Sequence, residues 1–166
     1  VAMGEIGSYF AKDFPQALVV SIGGPFPFGN GSGRQWFSVQ GVTEENRAER
    51  IAEVMPQFVE TVRYWQKHSG VNDAGTALVG FSQGSIMALE ALKVEPELAG
   101  RVVAFSGRFA SLPERAFGDS VVHLIHGEQD AVIAVQHARA AAERLQANGV
   151  DFTLDVEEDV GHAINQ

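Results

Sequence analysis

A serine lies between two glycines where the sequence changes from a strand pattern to a helix pattern. The run Gly80-Phe81-Ser82-Gln83-Gly84 matches G-x-S-x-G, with an apolar strand predicted over 76–80 and a helix over 83–94. Such a turn exposes the hydroxyl of Ser82, and the small residues Gly80 and Gly84 let the backbone pack closely around it. The motif predicts a nucleophilic serine, with the backbone N–H of Gln83 at the helix start, facing developing negative charge.

An aspartate and a histidine follow two later strands of the chain. Asp130 comes four residues after His126, where a strand predicted over 121–126 ends, and His162 follows a strand predicted over 152–156. The carboxyl ends of parallel strands meet at one edge of a sheet, and ligands bind there in open α/β sheets. Ser82, Asp130 and His162 are therefore expected to meet, with the histidine as general base and the aspartate orienting it.

Some of these residues allow other interpretations. His126 is an alternative general base, although its place at a strand end favours a structural role, bonding the Asp130 loop. No pair of histidines has the spacing of a metal site, so no metal or other cofactor is predicted. Neither nucleotide-binding pattern fits, because Ser82 stands where G-x-G-x-x-G needs glycine and no Gly-Lys-Ser/Thr follows. The remaining histidines are assigned to a helix end, a strand and a helix surface: His68, His123 and His137.

Short apolar runs alternate with helical patterns, which predicts an α/β fold in one domain over 1–166. Helices are predicted over 2–12, 43–68, 83–94 and 134–148, and strands over 17–22, 76–80, 101–105, 121–126 and 152–156. Thr43 is the predicted N-cap of the second helix, and Pro56 is expected to kink or split it. The Gly- and Pro-rich loop over 23–41 carries Trp36 and Phe37, which either line a substrate pocket or anchor the loop on the core.

Composition narrows the classes of function. The chain of 166 residues has 21 acidic against 12 basic side chains, a net charge of −9 and no basic run, so no nucleic-acid partner is predicted. It has no cysteine, which excludes disulfides and cysteine nucleophiles. No apolar run reaches the roughly 20 residues that span a membrane, and no signal segment opens the sequence, so a cytoplasmic location is predicted.

These stretches resemble the phospholipase/carboxylesterase family of α/β-hydrolases, which includes bacterial carboxylesterases and acyl-protein thioesterases. The resemblance is carried by 80–85, by 126–130 with Val132, by Gly161-His162 and by Arg34-Gln35-Trp36-Phe37. It implies a mostly parallel central sheet with helices on both faces and a Ser-Asp-His catalytic triad without a cofactor. It further implies a serine carboxylesterase that cleaves short-chain or soluble small-molecule esters. A thioesterase or lysophospholipase of the same family, or a non-catalytic ligand-binding protein of this fold, is the alternative.

The sequence departs from the family's pattern in three places. The family's first strand, with the His-Gly-Gly-type loop that supplies a second oxyanion N–H, has no counterpart, and neither has the helix after the catalytic histidine. A longer protein is therefore expected, of which this chain is a part. Ser38 follows Trp36-Phe37 where thioesterase-like relatives often have aspartate, which favours an ester over a thioester substrate.

Overall fold

Four parallel strands form the central sheet of the computed structural model, which describes residues 2–165. The helices are α1 (Met3–Asp13), α2 (Arg47–Ser69), α3 (Gln83–Val94) and α4 (Gln136–Ala147). The strands are β1 (Phe26–Pro27), β2 (Arg34–Gln35), β3 (Ala77–Phe81), β4 (Arg101–Phe105), β5 (Val121–Gly127) and β6 (Phe152–Glu157). The sheet order is β3-β4-β5-β6, and β1 and β2 form a separate antiparallel hairpin. All four carboxyl ends of the sheet therefore lie at one edge.

The core lies on one face of this sheet. Val102 and Ala104 of β4 and Val122 and Leu124 of β5 are buried in one apolar cluster with side chains of α2, α3 and α4. Alternate residues point to opposite faces of a strand, so Phe105 belongs to the other face. There α1 and Ile164 lie beside Phe105 and line an open cleft with it.

All six of the helices and strands predicted over 76–156 match the structure to within two residues at each end, as does the first helix. The strand predicted over 17–22 is wrong. A strand needs a neighbour for its backbone groups, and within residues 2–165 none of the strands pairs with this segment. Its Ser21 instead donates its hydroxyl to the carbonyl of Met3 in α1, 3.4 Å away, and Leu18 and Ile22 are exposed.

The second helix begins slightly later than predicted and does not split. Its N-cap is Asn46, and the predicted cap Thr43 exchanges hydrogen bonds with it: Thr43 N–H donates to Asn46 Oδ1 at 2.8 Å, and Asn46 N–H to Thr43 Oγ1 at 3.3 Å. The carbonyl of Thr43 also accepts from Arg47 N–H at 3.1 Å. The helix continues through the exposed Pro56, so the loss of one backbone donor does not end it.

Candidate active site

Ser82 occupies a strained turn between β3 and α3. Its φ of 53° lies in the left-handed region, which costs a non-glycine residue about 1–3 kcal/mol. Its N–H donates to the carbonyl of Phe105 on β4 at 2.9 Å, and its carbonyl accepts from Ile86 at 3.1 Å. The strand before it and the helix after it therefore hold the backbone of Ser82 on both sides, as the G-x-S-x-G motif predicts.

The two glycines of the motif have different surroundings. A Cβ on Gly80 would lie 2.4 Å from the backbone of Gly84 and Ser85, so the strand can approach the helix this closely only without a side chain there. A Cβ on Gly84 would meet no described atom within 4 Å. Ser85 stabilises the close approach of β3 to α3, since its buried hydroxyl lies 2.6 Å from the carbonyl of Gly80 and 2.8 Å from that of Phe105.

His162 links Ser82 to Asp130. Its Nδ1 lies 2.7 Å from Oδ2 of Asp130, and its Nε2 lies 2.9 Å from Oγ of Ser82. A carboxylate only accepts hydrogen bonds, so Nδ1 carries the proton in neutral His162 and Nε2 offers its lone pair to the hydroxyl of Ser82. The structure thus brings the three predicted side chains into one chain of hydrogen bonds, in the tautomer that base catalysis by Nε2 requires.

Asp130 is held as an anion inside the protein. Its buried side chain would favour the neutral acid, but Oδ2 accepts from His162, and Oδ1 accepts from the N–H groups of Ile133 and Val132, each at 2.8 Å. Burial raises the pKa of Asp130, and these hydrogen bonds outweigh it, so that its pKa lies below the ordinary value. A fixed negative charge therefore faces Nδ1 of His162.

His126 is the second histidine near Asp130. Its buried Nε2 is 2.7 Å from the carbonyl of Ile133 and 3.4 Å from Oδ2 of Asp130. It therefore bonds the loop that carries Asp130. Of the two histidines considered as base, the one in contact with Ser82 is His162.

Backbone contacts join the loops of Asp130 and His162. Glu128 N–H donates to the carbonyl of Glu157 at 2.9 Å, and Gln129 N–H donates to that of Val160 at 3.0 Å. At Gly127 a Cβ would lie 2.2 Å from the carbonyl oxygen of Val160. The glycine allows the loop after β6 to pass directly over the end of β5.

Gln83, Trp36 and Phe37 lie together beside the serine. Gln83 is the first residue of α3, where backbone N–H groups have no partner within the helix. Its side-chain amide contacts the backbone of Trp36 and Phe37. Both aromatic side chains are buried in the core cluster, and the Trp36 ring packs edge-on against Phe58 at 4.9 Å. These contacts are those of loop anchors, and a role in lining a substrate pocket stays a prediction.

One ion pair at this edge joins the buried Arg108 to the exposed Glu44 and was not predicted from the sequence. Arg108, in the loop after β4, donates through both terminal nitrogens to the two carboxylate oxygens of Glu44, at 2.9 and 3.0 Å. Hydrogen bonds from Arg108 and then Arg47 lower the pKa of Glu44 to about 2. Burial and the charge of Arg108 also lower the pKa of His137, whose Nε2 lies 3.2 Å from Arg108. No sequence pattern signals a pair 64 residues apart.

Comparisons with known proteins agree with this architecture. A model of the phospholipase/carboxylesterase family matches residues 1–166. The esterase YpfH of Escherichia coli K12 is 62% identical over 165 residues, which are 99% of this chain and 71% of that protein. The crystal structure of esterase PE8 superposes with a TM-score of 0.88 at 29% identity, covering 98% of this chain and 78% of the other. The carboxylesterase of Bacillus cereus shares the fold, with a TM-score of 0.82 at 14% identity over 97% and 75% of the two chains.

Within residues 2–165, no helix is both long and apolar enough to cross a membrane.

Proposed function

Because the chain belongs to the phospholipase/carboxylesterase family and is an esterase, we propose that it cleaves small carboxylic esters through an acyl-enzyme formed on Ser82. The observation that carries this proposal is the hydrogen-bonded chain from Ser82 through His162 to Asp130. It lies at the carboxyl edge of the sheet, where ligands bind in open α/β folds.

The first half of the reaction transfers the acyl group to the enzyme. Nε2 of His162 takes the hydroxyl proton of Ser82 while Oγ attacks the ester carbonyl carbon. The tetrahedral adduct then collapses, the bond to the alcohol oxygen breaks, and that oxygen leaves with the proton from Nε2. Asp130 stabilises the imidazolium that exists between these two proton transfers.

The second half uses the same groups on water. Nε2 of His162 takes a proton from a water molecule, whose oxygen attacks the acyl carbon. Collapse of this adduct breaks the bond to Oγ of Ser82, which regains the proton from Nε2, and the carboxylic acid leaves. The ester and one water are consumed, one alcohol and one acid are formed, and the enzyme is unchanged.

The negative charge of each tetrahedral adduct needs donors that are already in position. The N–H of Gln83 is suited to this role, because it follows the nucleophile at the positive end of α3. One such donor contributes roughly 10²- to 10³-fold in rate.

Kinetics on Ser82→Ala test the proposal. We expect its kcat on p-nitrophenyl acetate to fall by roughly three or more orders of magnitude, because the nucleophile is lost. Ser111→Ala is the matched control, since Ser111 is an exposed serine that contacts Lys93 elsewhere on the surface. Turnover by folded Ser82→Ala equal to that of Ser111→Ala would refute the acyl-enzyme mechanism.

A further inference from the structure

The side chain of Gln83 binds a loop that is distant in sequence. Trp36 N–H donates to Oε1 of Gln83 at 2.5 Å, and Nε2 of Gln83 donates to the carbonyl of Phe37 at 2.8 Å. Trp36 and Phe37 precede Gln83 by 47 and 46 positions. The amide oxygen of Gln83 thus accepts from one residue, and its amide nitrogen donates to the next residue in the sequence.

The segment that the Gln83 side chain binds is a hairpin whose two arms contact each other, here called the hairpin loop (residues 23–37). Phe26 pairs with Gln35 and Pro27 with Arg34 in its two short strands. A Cβ on Gly24 would lie 2.2 Å from the backbone of Gln35, so the two arms are in close contact. The two arms of the hairpin are therefore held together at its base.

The base of the hairpin loop has one apolar and one polar anchor. The apolar anchor is the Trp36 ring on Phe58 of α2, with Phe37 buried beside it. The polar anchor is the amide of Gln83. The apolar anchor fixes depth in the core but has little directionality, whereas two hydrogen bonds to consecutive backbone groups fix the orientation of the backbone.

We propose, on the basis of the serine mechanism above, that the side chain of Gln83 is a positioning group that couples the hairpin loop to the nucleophile turn. The same residue presents its backbone N–H to the adduct on Ser82. With its amide held at both ends, the Cα of Gln83 and the direction of that N–H are fixed before substrate binds. Preorganised donors stabilise the transition state strongly because they do not have to reorient during the reaction.

The same contacts also connect exposed residues of the hairpin loop with the nucleophile turn. Phe26 and Phe28 of the hairpin loop have exposed fractions of 47% and 52%, and the loop meets the residue next to Ser82. Acyl or alcohol groups of the substrate that contact the hairpin loop would therefore affect the position of the oxyanion donor, the backbone N–H of Gln83, through the side chain of the same residue. The amide is specific for this task, because a carboxylate at the same position accepts from Trp36 but cannot donate to Phe37.

The two tryptophans of the chain allow a readout that does not depend on activity. In a Trp65→Phe parent, Trp36 is the single tryptophan, and its exposed fraction is 9%. Gln83→Met removes both hydrogen bonds at similar side-chain length, and Gln83→Glu replaces the donor to Phe37 by an oxygen. Gln57→Met, an exposed glutamine on α2, is the matched control. Folding of each variant is checked by circular dichroism before use.

We expect both Gln83 variants to show stronger acrylamide quenching of Trp36 than the parent and the control. We expect kcat on p-nitrophenyl acetate to fall by roughly 10- to 100-fold, because a donor displaced by about 1 Å loses that much. The ratio of kcat/KM for acetate to that for hexanoate should change as well. Lower stability alone would move neither the quenching nor this ratio at a temperature where the variant is folded.

Unchanged quenching or unchanged kcat in either folded Gln83 variant would overturn the inference. The parent protein separates this failure from failure of the proposed function. If the parent itself forms no acyl-enzyme at Ser82, the serine mechanism is wrong. If the parent acylates normally and the Gln83 variants match it, only the coupling is wrong.

Discussion

Nε2 of His162 lies 2.9 Å from Oγ of Ser82, although the two residues follow strands at opposite ends of the sheet order. β3 and β6 are separated by two strands, so their axes are about 14 Å apart at the usual strand spacing. The loop after β6 must therefore return across the ends of β5 and β4. It does so over Gly127, against which the carbonyl of Val160 packs, and the N–H of Gln129 fixes its course.

Gly127→Ala tests this route. The added methyl would lie 2.2 Å from the carbonyl oxygen of Val160, so the loop must lift and carry His162 away from Ser82. We expect kcat for ester hydrolysis to fall by roughly 10²-fold, which is the effect of a displacement of about 1 Å in a catalytic group. Gly31→Ala is the control, since a Cβ there meets no described atom within 4 Å. Wild-type kcat in folded Gly127→Ala would show that the crossing does not set the position of His162.

The two histidines near Asp130 should respond differently to substitution. His162→Ala removes the proposed base, and we expect kcat to fall by roughly three or more orders of magnitude with little change in the free energy of unfolding. His126→Ala removes the bond to the carbonyl of Ile133 and leaves a buried cavity, so we expect mainly a loss of stability, about 2 kcal/mol. Urea unfolding and steady-state kinetics on both variants measure this. Loss of turnover in folded His126→Ala with turnover retained in His162→Ala would reverse the assignment.

The Glu44–Arg108 pair predicts a specific dependence of stability on pH. Hydrogen bonds from Arg108 and Arg47 lower the pKa of Glu44 from 4.5 to about 2 in the folded protein. A lowered folded-state pKa means that the contribution is complete above pH 4.5 and is lost as pH falls toward 2. The side chain of Glu44 is 65% exposed, so solvent screening limits the contribution to about 1 kcal/mol or less.

Glu44→Gln isolates this contribution. We expect the variant to be less stable than the wild type by about 1 kcal/mol or less at about pH 6, and the difference to shrink at about pH 3. Urea unfolding at both pH values measures it, with Glu60→Gln, an exposed position on α2, as control. A difference of the same size at both pH values would mean that the ionised form of Glu44 is not what stabilises the fold.

The parts of this protein that were predicted from sequence are those with a local pattern. The helix over 83–94 and the strands around it have regular apolar spacing, and Ser82, Asp130 and His162 each follow a strand whose end was predictable. The strand over 17–22 was wrong because an apolar run does not reveal whether a pairing neighbour exists. Its composition fits a strand, but pairing is a property of the tertiary structure.

Contacts that hold the site in place were not predictable, since they join residues far apart in the chain. The amide of Gln83 binds the backbone of Trp36 and Phe37, which are 47 and 46 positions away, and Arg108 binds Glu44, which is 64 positions away. Glutamine and arginine are mostly found on exposed surfaces, so their residue types alone do not indicate contacts of this kind. Gly127 is another case, because the carbonyl that excludes its side chain comes from a loop more than 30 residues later.

Labelling with a fluorophosphonate tests whether Ser82 is an activated nucleophile, because the probe reacts with a serine only when its hydroxyl is activated. The purified full-length protein is incubated with the probe, its intact mass is read, and the modified residue is mapped by peptide sequencing. We expect one adduct per chain, on Ser82, and its loss in His162→Ala. No adduct on the folded wild-type protein, or an adduct on a different residue, would contradict it.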